Sequence, residues 1–149
     1  MATFALIHGA GDVGWYWHLV EAALGERGHD VVAPDLPCDD ESAGLSEYAD
    51  TVIEAIGERT DLVVVAQSLG GFTAPLVCER VPVKLLVLVA PMIPAPGEAP
   101  DSYRTHTRYS EGCRTGTTMP SPSSTKMSRQ ELAAQALNRA RIQSEARMG

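Results

Sequence analysis

Two short stretches of this 149-residue sequence combine residue types that could do chemistry. The first is Ala66-Gln67-Ser68-Leu69-Gly70-Gly71. It follows an uncharged apolar run, Val63-Val64-Val65, and precedes a stretch of helical composition. A serine between strand and helix, with small residues two positions away on both sides, has the pattern of a nucleophile elbow. Ala66 stands where the G-x-S-x-G form has its first glycine. The tight turn would strain the backbone at Ser68 and expose its hydroxyl. The start of the next helix would add partial positive charge, and the Leu69 N–H would face a developing oxyanion. The plainer alternative is that Ser68 merely caps a buried helix.

The second stretch is His8-Gly9-Ala10-Gly11-Asp12-Val13-Gly14. Residues 9–14 match the dinucleotide fingerprint G-x-G-x-x-G, and Asp35 ends the next strand, where a ribose-binding acid would stand. Trp15, Tyr16 and Trp17 follow the third glycine, where close packing favours small residues. His8 has no role in that fingerprint, and no Tyr-x-x-x-Lys pair occurs. The rival reading is an oxyanion turn. Its backbone would aim the Ala10 N–H at negative charge, with His8, Gly9 and Gly11 as the supporting loop. On this turn alone the two readings stand level. Taken together, an elbow plus an oxyanion turn explains both stretches, whereas a dinucleotide domain explains one.

The elements that must position these residues follow from the apolar pattern. Thr3–Ile7 is a charge-free run suited to a strand buried on both faces. Trp15–Arg27 has helical spacing through Leu19, Val20, Ala23 and Leu24, with Gly28 as C-cap. Val31–Ala33 is the next strand. Ser46 is the expected N-cap of a helix carrying Tyr48, Val52, Ile53 and Ile56, with Glu47 in its first turn. Leu62–Val65, a helix over 72–80 and a strand over 84–90 complete the set. Four strands alternating with three helices predict an α/β three-layer sandwich around a parallel sheet. Its chemistry belongs at the carboxyl ends of the strands.

The chain changes character near Ala99. Residues 1–98 hold 4 Lys/Arg against 15 Asp/Glu, while residues 99–149 hold 8 against 4. Residues 101–128 contain no Leu, Ile, Val or Phe, and 12 of the 28 are Ser or Thr. Such a stretch buries too little apolar surface to offset its ordering entropy. It is read as a polar linker over 99–128, followed by a helix within 129–149. The change suggests a coding sequence altered after about Glu98 by a frame change or deletion.

The net charge of −7 argues against nucleic-acid or anionic-membrane partners. No apolar run reaches the ~18 residues of a membrane span, and the N-terminus lacks the basic region of a secretory signal. Cys38, Cys78 and Cys113 have neither paired nor metal-type spacing, so a reducing, cytoplasmic setting is expected.

LIHGAGDVGWYWHLV, VVAPDLP, VVVAQSLGGF and KLLVLVAPM together resemble the α/β-hydrolase family. The likeness is to the esterase-like branch that includes plant methylesterases, hydroxynitrile lyases and bacterial hydrolases. It covers residues 3–98 as an N-terminal core. The resemblance implies an incomplete hydrolase fold, Ser68 as nucleophile, and Ala10 and Leu69 as oxyanion donors. A small ester or related carbonyl substrate follows, with no metal or organic cofactor. The family's triad acid and histidine follow later strands. Here His8 belongs to the oxyanion turn, His18 and His29 read as surface residues, and His106 lies in the polar segment. Glu98 and Asp101 read as solvated. A hydrolase-fold remnant that binds without catalysis therefore remains an alternative, as does the dinucleotide domain. An uncovered sheet edge predicts dimerisation.

Overall fold

The computed structural model describes residues 1–107. Four strands, β1 (Thr3–Ile7), β2 (Asp30–Val32), β3 (Leu62–Gln67) and β4 (Val83–Val89), form one sheet. Its order is β2-β1-β3-β4 and every pairing is parallel. Four helices connect and follow the strands: α1 (His18–Gly25), α2 (Leu45–Ile56), α3 (Gly70–Arg80) and α4 (Pro100–His106).

Strand alternation divides the apolar residues between two faces. Ala5 and Ile7 of β1, with Leu62, Val64 and Ala66 of β3, pack against α2 and α3 through Tyr48, Val52, Ile56, Phe72, Ala74 and Val77. Leu6 and Val65 turn the other way, onto Trp17, with Phe4, Leu24, Val31 and Val63 around them. Both faces of β1 and β3 are thus covered, which explains why those strands read as unbroken apolar runs. On β4 the cover is incomplete: Leu85 is 55% and Val89 41% exposed.

The order fixes where a site can lie. The chain steps outward from β1 to β2 with α1 on one face, then returns across β1 to β3 with α2 on the other. The two directions part between β1 and β3, and the crevice beyond their carboxyl ends is the expected ligand position. Ile7 pairs with Ala66 there, so the chain leaves β1 through His8 and Gly9 alongside Gln67 and Ser68 leaving β3.

Three local expectations shift. A 3₁₀ helix over Gly14–Trp17 precedes α1, which therefore starts at His18 instead of Trp15. The N-cap of α2 is Gly44, not Ser46. Glu47 reaches back so that its carboxylate accepts the Gly44 N–H at 2.8 Å, the second half of a capping box. Part of the stretch read as linker is helical. In α4, Pro100 opens the helix with Asp101 in its first turn and Arg104 and His106 in its last, all favourable to the helix dipole. The helix expected within 129–149 and the remainder of the polar segment lie outside the described residues.

Candidate active site

Ser68 adopts φ = 50°, a left-handed conformation that costs a non-glycine residue roughly 1–3 kcal/mol. The surroundings hold it there. The Ser68 N–H donates to the Val89 carbonyl at 3.2 Å, and the Ser68 carbonyl accepts from Met92 N–H at 2.9 Å and Gly71 N–H at 3.1 Å. The turn is thereby tied to the end of β4, to the buried residue after it, and to the start of α3. The close approach dictates composition as well. A Cβ on Gly71 would stand 2.1 Å from the Met92 carbonyl oxygen, so only glycine fits. The sharp strand-to-helix turn expected at Ser68 is present.

The turn after β1 lies directly against it. A Cβ on Gly9 would stand 3.0 Å from Ser68 Cβ and 2.4 Å from Gln67 Oε1. His8, 1% exposed, fixes this turn from beneath. The buried Leu36 N–H donates to His8 Nε2 at 3.1 Å, which places the ring proton on Nδ1. That N–H donates to the Gly9 carbonyl at 2.8 Å. Both ring nitrogens are engaged in holding backbone. Asp12, farther along the turn, has its carboxyl raised above the usual range by burial, with nearby His8 pulling the other way. Neither Ala10 nor Leu69 donates its N–H to a backbone carbonyl among the described residues, and Ala10 is exposed.

No histidine among the described residues completes the constellation. The chain has four histidines, all within the described residues, and none hydrogen-bonds Ser68. His18 stacks on Trp15 with ring centroids 4.1 Å apart and bonds the Trp15 carbonyl. His29 Nδ1 accepts the Ala2 N–H, and its ring meets the Phe4 edge. His106 Nδ1 sits 3.2 Å from Glu98 Oε1. Glu98 is not a freely solvated carboxylate, since its side chain is only 13% exposed and it also accepts the Ala95 N–H. Asp101 is exposed, as read.

The dinucleotide reading loses its footing here. Asp35 Oδ1 accepts the Gly14 N–H at 2.7 Å, so the acid expected on a ribose instead braces the third glycine of the fingerprint. A dinucleotide fold of the Rossmann type also places its third strand beyond the second, whereas β3 here lies on the opposite side of β1. Sequence reasoning passed over Gln67 and Met92, whose roles depend on neighbours across turns that no spacing rule exposes. Tyr103 was also missed. Its ring meets Phe72 edge-on at 5.8 Å and its hydroxyl accepts the Ile93 N–H at 3.4 Å, setting α4 against α3. An open cleft of about 530 Å³ runs between α3 and the 94–99 segment, lined by Phe72, Pro75, Leu76 and Pro94 among others, but not by Ser68.

Comparison with known proteins agrees with this fold. Over 109 residues the chain is 37% identical to probable esterase PIR7A of Oryza sativa subsp. indica, covering 64% of this chain and 41% of that protein. It is 35% identical over 104 residues to methylesterase 7 of Arabidopsis thaliana, covering 61% and 40%. The crystal structure of polyneuridine aldehyde esterase superposes with a TM-score of 0.63 at 25% identity, over 76% of this chain and 48% of that one. The chain spans about two-fifths of the length of the curated relatives it matches. The sequence model of the Alpha/beta hydrolase family matches residues 4–146, a span that runs well past Glu98. With its parallel sheet, its elbow and that match, the chain belongs to the α/β-hydrolase family.

Proposed function

We propose that this chain presents the nucleophilic half of an esterase-type site. Ser68 is the nucleophile, the N–H groups of Ala10 and Leu69 are the oxyanion donors, and the substrate is a small ester or related carbonyl compound. One observation carries the reading: a left-handed Ser68 lies against Gly9 of the turn after β1. Ser68 Oγ would attack the carbonyl carbon, and the carbonyl oxygen would become an anion held by the two amides. Collapse would expel the alcohol and leave an acyl-serine for water to hydrolyse. With no histidine on Ser68 among the described residues, the Oγ proton passes to solvent, and a neutral hydroxyl is a weak nucleophile. Serine-protease sites that lack a triad member still retain roughly 10³–10⁴-fold catalysis over water, and a rate of that modest order is expected here.

The test is labelling with a fluorophosphonate probe followed by peptide mass spectrometry. Slow modification confined to Ser68 and abolished by Ser68→Ala is the expected result. A folded chain that takes up no probe at Ser68 overturns the proposal. The absence of a histidine on Ser68 favours a second reading, a hydrolase-fold protein that binds a ligand or partner without turnover. Ester turnover that disappears with Ser68→Ala would exclude it.

A cytoplasmic location is part of the proposal, in keeping with the free thiol of Cys78. No helix among the described residues is long and apolar enough to cross a membrane. The edge of β4, which no further strand among the described residues covers, is proposed to pair with a second copy of the chain.

A further inference from the structure

Gln67 immediately precedes the nucleophile and ends β3. By strand alternation its side chain shares the face of Val65 and Trp17. The carboxamide lies over Gly9: Oε1 is 2.4 Å and Cδ 3.3 Å from the point where a Gly9 Cβ would stand. Oε1 is buried and accepts no hydrogen bond among the described residues. An unsatisfied buried amide oxygen is unfavourable, and apolar side chains of similar length would fill the same space without it. His8 holds the same turn from the side of Leu36 and Tyr48. The turn that carries the Ala10 amide is thus gripped on one side by an imidazole and on the other by a carboxamide.

We infer that Gln67 is a positioning residue that sets the gap between the Ser68 hydroxyl and the backbone amides of residues 9–11. The inference rests on Ser68 being the nucleophile. Gln67 and Ser68 are consecutive, so the carboxamide transmits the position of the nucleophile directly to Gly9. The margin is narrow, because oxyanion donors act at about 2.7–3.1 Å and a misplacement of about 1 Å costs on the order of 10²-fold. Neutrality matters too. The amide oxygen is uncharged and occupies the space where a Gly9 side chain would begin. A carboxylate in the same place would set a full negative charge beside the developing oxyanion.

Two measurements on the full chain test this. The first is the rate of fluorophosphonate labelling of Ser68 in the wild type, Gln67→Ala and the near-isosteric Gln67→Glu, across pH. The second is amide hydrogen exchange of Gly9, Ala10 and Gly11 in the same three proteins, with Val64 as an internal control. Gln67→Ala is expected to label about tenfold or more slowly and to exchange faster at residues 9–11, with Val64 unchanged. Gln67→Glu is expected to label slowly when ionised and to recover toward acid pH, a limb absent from the wild-type profile. A role confined to packing would not create that limb. Wild-type labelling rates in both variants, or unchanged exchange at residues 9–11, would overturn the inference. If the wild type itself takes up no probe, the nucleophile assignment fails, while the exchange measurement still decides what Gln67 positions.

Discussion

At the scale of single residues, the polar groups around the β1 turn divide by what they hold. His8 is spent on structure: one nitrogen receives Leu36 N–H and the other donates to Gly9. Asp35 does the same for Gly14. Asp12 differs, because burial disfavours its charged form. A carboxyl whose folded pKa lies above its unfolded value stabilises the fold only while protonated. Its penalty is absent below the unfolded pKa, grows as pH rises through the window above 3.8, and is complete once the folded group has ionised. Asp12→Asn should therefore raise the melting temperature at neutral pH, and the difference should shrink to nothing in acid. Thermal melts across that range check it, and an equal effect at every pH would assign the change to something other than ionisation.

At the scale of elements, the elbow is the junction on which the site depends. Its turn is fastened to β4 and to Met92, and Gly71 passes the Met92 carbonyl with no room for a methyl group. Gly71→Ala should therefore destabilise by roughly 1–3 kcal/mol, the usual cost of overpacking. A denaturant midpoint would measure it, and a stability equal to wild type would mean that the 91–92 segment yields freely. This junction also shows what the sequence disclosed. β1 and β3 were legible because strands buried on both faces are written as continuous apolar runs. Ser68 was legible because an elbow needs small residues at fixed offsets. The Gly44 cap and the α4 helix were not, since each is settled by a local contest: Glu47 reaching back, Pro100 opening a turn. Gln67, Met92 and the Asp35 partner were hidden for a different reason. Asp35 and Gly14 are 21 residues apart, and only the assembled sheet brings such pairs together.

At the scale of the whole molecule, the sheet is asymmetric. β2 is a three-residue edge, whereas β4 presents seven residues to the other side. The charge on β4 is Lys84, already engaged with Asp61 in an ion pair, which holds the Asp61 carboxyl below its usual range. A long apolar edge without free charge or proline is a template for further pairing. Antiparallel pairing of two β4 strands would be self-complementary, as a two-fold dimer requires. The chain should therefore sediment as a dimer or larger species, and Leu85→Lys should shift it toward monomer. A monodisperse wild-type monomer in analytical ultracentrifugation would refute the pairing. A final consequence follows from the four histidines bonding elsewhere than at Ser68. The group that would strip a proton from serine is the same kind of group that would later activate water, so its lack weighs on the second half of the reaction as heavily as on the first. A reactive ester that acylates this chain should therefore give up its acyl group slowly. Product release should show a burst matching the amount of protein, followed by a slow steady rate.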